Sequence, residues 1–242
     1  MVIPVRRLER SVMFEKNLEI LTREEAEKIR GIRAAVIGLG ALGQMAAQML
    51  VRSGFERLIL CDGDRMERSN LNRQLYADIM TMGMQKTDVV SERLCDISPR
   101  LKIKEYGCFL SEENGREILK DADLVLDCVD SIPVKLYLEE LAGKLRIPLV
   151  HGAVEGWFGQ VCTVLPGEHI LSVIYEKKRE QRVSALMPAV CLTASVQASE
   201  ALLLAAGGEP KFGGRLFCAD LKTGEFDSVA LSAASAEKEG KR

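Results

Sequence analysis

The fold is decided by the stretch RAAVIGLGALG, which runs from Arg33 to Gly43. Its first five residues form an apolar run typical of a buried strand, and a helix is predicted over 41–53. Between them, Gly38, Gly40 and Gly43 fit the pattern G-x-G-x-x-G. The first glycine permits a tight turn, the second lets a phosphate approach the backbone, and the third lets helix pack on strand. The free N–H groups at the helix start then face an anion, so the stretch predicts a bound nucleotide.

Strand and helix patterns alternate through about residue 150. The predicted strands are 33–37, 58–61, 102–106, 124–128 and 148–150, and the predicted helices are 8–30, 41–53, 86–96, 113–120 and 134–144. Alternation of this kind indicates parallel strands joined by right-handed crossovers. Further along, the patterns predict a strand at 157–165, a surface loop at 171–186, a helix at 188–206 and a hairpin over 215–231.

These elements predict an α/β protein with a Rossmann-like, mostly parallel sheet flanked by helices. Antiparallel strands are added at the C-terminal end. We expect an N-terminal helical segment at 1–30, one nucleotide-binding domain at 31–231, and a disordered tail at 232–242.

Composition narrows the function classes. The 242 residues carry 33 basic and 35 acidic side chains. Because these charges nearly cancel, the composition does not indicate that the surface as a whole binds nucleic acid or a membrane. The seven cysteines are scattered, with no two of them three positions apart, so no structural zinc is expected. The apolar stretch at the N-terminus is too short for a signal peptide, and we expect no apolar run to be long enough to span a bilayer. The chain is therefore predicted to be cytoplasmic.

Charged residues at the strand ends separate the candidate nucleotides. Asp62 ends the second strand, nineteen positions after Gly43, where it can accept hydrogen bonds from a ribose. Arg73 and Lys86 add two cations, and Asp130, after a later strand, can hold Mg²⁺. An NAD-dependent oxidoreductase does not need these charged residues. They suit a site that binds ATP with a metal ion. A non-catalytic module that keeps the nucleotide fold is the other alternative.

Taken together, these motifs resemble the E1-like activating enzymes of the ThiF/MoeB/HesA family. The resemblance covers roughly residues 30–230, and its motifs are Gly38–Gly43, Asp62-Gly-Asp64, Ser69-Asn-Leu-Asn-Arg-Gln74, Lys86, Asp130, Gly152–Gln160 and the helix from Pro188. Such enzymes adenylate the C-terminal glycine carboxylate of a small ubiquitin-like protein, commonly a sulfur carrier, and work as homodimers. The resemblance thus implies an adenylyltransferase that serves sulfur transfer in cofactor biosynthesis.

The resemblance also implies site residues. Arg73, Lys86 and Asp130 are expected to carry the chemistry, by charge neutralisation and by binding Mg²⁺ through Asp130. The expected ATP-binding set is Gly38, Gly40, Ala41, Gly43, Asp62, Asp64, Ser69, Asn70, Asn72, Arg73, Gln74, Lys86, Asp130 and Ser131.

The implied partners are a carrier ending in Gly-Gly, a second copy of the chain and a separate sulfur donor protein. The motif Asn-Leu-Asn-Arg-Gln also resembles that of the dehydratases that cyclise threonylcarbamoyladenosine in tRNA. The near-neutral charge argues against a tRNA substrate.

Two features depart from the family pattern. Relatives often carry two CxxC pairs that bind a structural zinc, and this chain has neither. Residues 163–190, which cover the crossover loop, contain no cysteine. Cys191 follows within the predicted helix and is expected to be buried, with a raised pKa and no catalytic role. Arg10 is the nearest candidate for the arginine that family members lend to the neighbouring subunit. His151, near the expected cleft, is expected to be a structural histidine.

Overall fold

The computed structural model describes residues 14–175 and 184–231, which form one eight-stranded sheet with helices on both faces. The strands are β1 (Arg33–Ile37), β2 (Arg57–Cys61), β3 (Lys102–Tyr106), β4 (Leu124–Asp127), β5 (Leu149–Glu155), β6 (Phe158–Val164), β7 (Arg215–Asp220) and β8 (Glu225–Ala230). Their order is β3-β2-β1-β4-β5-β6-β7-β8. The first five are parallel, and β6, β7 and β8 add antiparallel pairs. The predicted fold class is confirmed.

The helices fill two cores, one on each face of the sheet. They are α1 (Arg23–Gly31), α2 (Ala41–Arg52), α3 (Lys86–Ile97), α4 (Gly115–Leu119), α5 (Ile132–Leu145), α6 (Leu171–Tyr175) and α7 (Met187–Ala206). Alternate residues of β1 pack on opposite faces of the sheet. Ala34 and Val36 pack with α2, α3 and α7, whereas Ala35 and Ile37 pack with α4, α5 and α6.

The glycine turn sits at the carboxyl ends of β1, β2 and β4. Gly38 adopts a φ of 88°, in the left-handed region, and its N–H donates to the carbonyl of Cys61 at 2.9 Å. A Cβ on Gly43 would lie 1.9 Å from the carbonyl oxygen of Gly38. The third glycine is therefore required for α2 to pack against the turn.

Two predicted elements are wrong in their details. The described part of the predicted helix 8–30 is broken into a 3₁₀ helix at Glu15–Glu19 and α1. Thr22 separates them because its hydroxyl accepts from the N–H of Glu25, which caps α1. The predicted surface loop at 171–186 begins instead with α6, whose Leu171 and Tyr175 are buried. Residues 1–13, 176–183 and 232–242 lie outside the described part of the chain.

Helix α7 corrects a further expectation. By length and apolar composition alone it could cross a membrane, which contradicts the prediction that no run is long enough. In the structure α7 packs on α1, α2 and strands β4 to β6. Its buried Gln197 donates to the carbonyls of Asp127 and Val150, at 2.9 and 2.8 Å. Glu200 accepts a hydrogen bond from Thr163 at 2.7 Å. These contacts are those of a helix in a protein core.

Candidate functional site

A cavity of about 860 Å³ opens at the carboxyl ends of the parallel strands. The glycine turn and the segment between β2 and α3 form one end, which is called the nucleotide arm below. The β5–β6 hairpin, Tyr175, Ala185 and Val190 form the other end, called the tail arm. The volume lies within the upper range for small-molecule sites, so it can hold a nucleotide together with a second group.

Most of the predicted nucleotide-binding residues meet in this cavity. Those in its wall are Gly38, Gly40, Ala41, Asp62, Asp64, Asn70, Arg73, Gln74, Lys86, Asp130 and Ser131. The other three residues of the predicted set, Gly43, Ser69 and Asn72, do not line the cavity. Gly43 supports the turn, and Ser69 bonds Glu67 at 3.2 Å. Asn72 donates to the carbonyl of Ala185 at 3.3 Å, which ties the β2–α3 segment to the tail arm.

Asp62 is held in place by backbone donors. Its carboxylate accepts from the N–H of Leu39 at 2.6 Å and from the N–H of Asp64 at 2.7 Å. Burial raises the pKa of Asp62, and the nearby Lys86 ammonium opposes that rise. Each carboxylate oxygen keeps further acceptor capacity, so Asp62 can still bind the hydroxyls of a ribose.

Lys86 is a largely buried cation at the first residue of α3. Its Nζ lies 2.8 Å from a carboxylate oxygen of Asp64 and 4.0 Å from one of Asp62. The exposed fraction of Lys86 is 5%. A buried ammonium next to an open cavity is a strong anchor for an anionic ligand, because little water is present to screen its charge.

Gln44 is a site residue that the sequence analysis missed. It is fully buried in α2 and donates to Leu39 and to Oε1 of Gln74, both at 2.9 Å. Its own oxygen accepts from the N–H of Tyr76 at 2.9 Å. This arrangement leaves the NH₂ end of Gln74 to donate into the cavity. An amide in an otherwise apolar helix face was the only sequence signal for Gln44.

The guanidinium of Arg73 is oriented by its own loop. One nitrogen, Nη1, donates to the carbonyl of Ser69 at 2.8 Å and to the side chain of Asn72 at 2.9 Å. The remaining N–H groups of Arg73 stay available to an anion, since Arg73 is only half-buried and lines the cavity.

A buried polar network lies behind the tail arm. Asp127, at the end of β4, accepts from Nζ of Lys135 at 3.1 and 3.2 Å and lies 2.7 Å from Nδ1 of His151. Nε2 of His151 faces the hydroxyl of Tyr175 at 3.2 Å and the amide of Gln160 at 3.3 Å. The expectation that His151 is structural agrees with these contacts, but the sequence analysis missed Lys135, Gln160 and Tyr175.

The charges of this network are settled by its contacts. Burial alone would raise the pKa of Asp127, but Lys135 and His151 together hold it below its usual value. Asp127 is therefore an acceptor, and Nδ1 of His151 carries the proton that donates to it. Burial also raises the pKa of Tyr175, so its hydroxyl keeps its proton.

Asp130, the predicted metal ligand, is one of the carboxylates in the wall. It is exposed at the start of the segment that leads into α5. Within residues 14–175 and 184–231, no three His, Cys, Asp or Glu side chains are grouped to hold a metal ion. A single carboxylate still fits Mg²⁺, which keeps several waters and takes its other ligands from nucleotide phosphates.

The cysteines at the cavity are Cys61 and Cys128, both buried. Burial raises the pKa of Cys61 to about 12 and raises that of Cys128 as well. The expectation that Cys191 is fully buried is wrong, since it is only partly buried at the fifth residue of α7, where it packs against the core. The preceding residue, Val190, is buried instead, because successive side chains of a helix point roughly 100° apart. Arg10 lies outside the described residues.

Comparison with known proteins places this chain in a family. The model of the ThiF family matches residues 14–240. A molybdopterin-synthase adenylyltransferase of Escherichia coli is 30% identical over 230 residues, which cover 90% of this chain and 92% of that protein. A sulfur carrier protein ThiS adenylyltransferase of Bacillus subtilis is 33% identical over 76% of this chain, which spans 57% of that relative.

Two further similarities bear on substrate and fold. A tRNA threonylcarbamoyladenosine dehydratase of Bacillus subtilis is 34% identical over 57% of this chain and 54% of its own length. A crystal structure of E. coli MccB with ATP has a TM-score of 0.73 at 17% identity, over 88% of this chain and 68% of that one. The structural likeness confirms the fold. The matched family model and the relatives show that this chain belongs to the ThiF family of E1-like adenylyltransferases.

Proposed function

We propose that this protein uses ATP and Mg²⁺ to adenylate the C-terminal glycine carboxylate of a small ubiquitin-like sulfur carrier. The observation that carries the proposal is a single cavity with two chemically different arms. One arm combines the phosphate-binding turn, Asp62 and the cations Lys86 and Arg73. The other arm is lined by residues of the β5–β6 hairpin, which are neutral except for Glu155. ATP fits the first arm and an extended peptide tail fits the second.

The reaction joins two anions, so the protein must position them and neutralise their charge. A carboxylate oxygen of the carrier attacks the α-phosphorus of ATP. The bond to the bridging oxygen breaks, and pyrophosphate leaves with the electron pair. Lys86, Arg73 and the NH₂ group of Gln74 are the donors that would stabilise the charge on the α-phosphate. The attacking carboxylate is already ionised at neutral pH, so no proton-shuttling residue is required.

Asp130 is the residue that would hold Mg²⁺, together with the phosphates of ATP. When bound there, the ion would neutralise charge on the leaving pyrophosphate. Gly40 and Ala41 would contact the phosphates through the backbone, and Asp62 would bind the ribose.

The lining of the tail arm favours a peptide over tRNA. Its only ammonium or guanidinium among the described residues is Lys135, which is paired with Asp127. Glu155 adds a carboxylate to the same arm. An RNA backbone requires several accessible cations, which this arm does not offer in the described part of the chain. ATP–pyrophosphate exchange with carriers ending in Gly-Gly, and with total tRNA as the competing substrate, tests this choice.

The quaternary and domain organisation are part of the same proposal. We infer a cytoplasmic homodimer in which residues 31–231 form the adenylation domain and residues 1–30 precede it. The β5–β6 hairpin within Gly152–Val161 is a candidate interface, because Trp157 is 45% exposed at its tip. A separate protein would supply the sulfur. Light scattering that reports a monomer at micromolar concentration would contradict the dimer.

A further inference from the structure

Gln160 presents an unpaired acceptor to the cavity. It lies on β6 opposite Ala153 of β5, is 4% exposed, and is part of the wall of the tail arm. Its Nε2 donates to the hydroxyl of Tyr175 at 3.1 Å and faces Nε2 of His151 at 3.3 Å. Its Oε1 has no hydrogen-bond partner within residues 14–175 and 184–231. Since the described residues hold no fully buried side-chain oxygen or nitrogen without a partner, this oxygen is accessible from the cavity, where a ligand can donate a hydrogen bond to it.

The orientation of this amide follows from the chemistry of its neighbours. Asp127 accepts from Nδ1 of His151 at 2.7 Å, so in the neutral imidazole Nε2 carries a lone pair. The hydroxyl of Tyr175, 3.2 Å away, and the NH₂ end of Gln160, 3.3 Å away, can donate to this lone pair, whereas the oxygen of Gln160 cannot. The opposite amide orientation would place two acceptors against each other. The oxygen of Gln160 is therefore left for the cavity, and the buried Asp127 fixes this arrangement through His151.

Two small residues stand in the neighbouring wall. Gly152 lines the tail arm, and a Cβ there would lie 2.7 Å from the side chain of Leu42 and 2.9 Å from that of Gln197. Ala153 is the next wall residue. Small wall residues beside one acceptor suit a peptide of small residues in an extended form, whose backbone N–H groups are donors.

We propose that Oε1 of Gln160 accepts a hydrogen bond from a backbone N–H in the last two residues of the carrier's tail. The proposal rests on the adenylation function above and adds a tail-recognition residue to it. Gln160 then discriminates a peptide from other carboxylate substrates, because a chain without an N–H at that position leaves the acceptor unpaired. His151 and Tyr175 act as positioning residues for the amide.

The test uses semisynthetic carriers in which one of the last two peptide bonds is an ester, so that one N–H is removed at a time. Pyrophosphate exchange is measured with the full chain and with Gln160→Met, which keeps the side-chain length but has no oxygen. In the unmodified enzyme one ester should raise the KM for the carrier about tenfold and leave the KM for ATP unchanged. In Gln160→Met the native carrier should already show this rise, and the same ester should add little to it.

A second variant guards against a folding defect. Gln160→Glu keeps an acceptor oxygen, so the ester should still impose its penalty on this variant, even if its overall rate falls. The inference is overturned if neither ester affects the unmodified enzyme, or if the penalty is equal in that enzyme and in Gln160→Met. If no native carrier supports pyrophosphate exchange, the adenylation function itself is overturned, and the inference with it.

Discussion

Asp127 and Lys135 form an ion pair that is almost completely buried, with Nζ of Lys135 3.1 Å from one carboxylate oxygen and 3.2 Å from the other. The two residues lie eight positions apart, at the end of β4 and in the first turns of α5. Lys135 also donates to the carbonyl of Gly152 at 3.2 Å. The pair thus joins β4, α5 and β5 directly behind the cavity.

Removing one partner of this pair should strongly destabilise the fold. Asp127→Asn leaves an uncompensated buried ammonium, and we expect a loss of about 3–5 kcal/mol in the free energy of unfolding. Urea denaturation measures it. The double variant Asp127→Asn/Lys135→Met should recover part of the loss, because the isolated charge is gone. Asp121→Asn, which removes an exposed carboxylate paired with Lys104 and Arg33, should barely change the free energy of unfolding and serves as the control.

The same pair predicts a pH dependence. The pKa of Asp127 is lowered in the folded protein, so its ionised form stabilises the fold at every pH above the unfolded value of about 3.9. That contribution is lost as the pH falls below 3.9 and through the lower folded value. The stability gap between the unmodified protein and Asp127→Asn/Lys135→Met, which has no isolated buried charge, should be constant from pH 5 to 7 and shrink below pH 4. A gap that widened on acidification would contradict the assignment.

Substitutions at two glycines of the turn should have different effects, one on the stability of the fold and the other on ATP binding. Gly43→Ala places a methyl group against the carbonyl of Gly38 and should cost about 1–3 kcal/mol of stability or more. Gly40→Ala meets no atom within 4 Å, and its φ of −74° suits alanine, so its melting temperature should barely change. Because Gly40 lines the nucleotide arm, the methyl group should still weaken ATP binding, measured by calorimetry. Wild-type affinity in Gly40→Ala would place the phosphates elsewhere.

The fold could be predicted because its signals are local. The apolar run 33–37, the glycine spacing and the alternation through residue 150 each report on their own segment, and the structure follows them closely. The strand predicted at 148–150 is wrong in length, since β5 continues to Glu155. Gly152 and Ala153 interrupt its apolar pattern, and the hairpin partner β6 provides the pairing that the local sequence does not reveal.

The polar network could not be predicted for the opposite reason. Lys135, Gln160 and Tyr175 stand on three separate elements, and no local pattern marks Lys135 or Tyr175 as a polar site residue. Gln160 ends the motif at 152–160, but that motif alone does not pair it with His151. Only the order β4-β5-β6 in the sheet, with α5 and α6 on one face, brings them to His151. Their chemistry depends on burial and mutual contact, which a single segment does not encode.

The two cations of the nucleotide arm should both be needed for adenylation. Arg73→Ala and Lys86→Ala should each reduce pyrophosphate exchange by about a hundredfold or more, because stabilisation of the α-phosphate is lost. Lys86→Met, which keeps the buried stem, should show the same defect and so separates charge from packing. Arg93→Ala and Lys104→Ala remove cations that lie outside the cavity wall and should exchange normally. Near-normal exchange in the Arg73 and Lys86 variants would exclude the proposed site.

The protein should bind ATP with Mg²⁺ in preference to NAD. Asp62 could hold the ribose of either nucleotide, but only ATP brings phosphates that share a metal with Asp130. Calorimetry should show ATP affinity that rises with Mg²⁺, and Asp130→Asn should remove most of that rise while leaving the melting temperature unchanged, since Asp130 is exposed. Tight NAD binding with no effect of the metal on ATP would favour an oxidoreductase instead.

The chemistry should stop at the acyl-adenylate on this chain. Attack on that intermediate by a cysteine requires a thiolate, and both cysteines in the cavity wall, Cys61 and Cys128, have raised pKa values because they are buried. Cys191 is partly exposed but lies outside the described wall, one residue beyond Val190. Cys191→Ala should therefore leave pyrophosphate exchange intact, and also carrier thiocarboxylation when an external sulfur donor is supplied. Mass spectrometry that traps a covalent carrier–enzyme species on the unmodified chain, and finds it absent in Cys191→Ala, would instead make Cys191 the nucleophile.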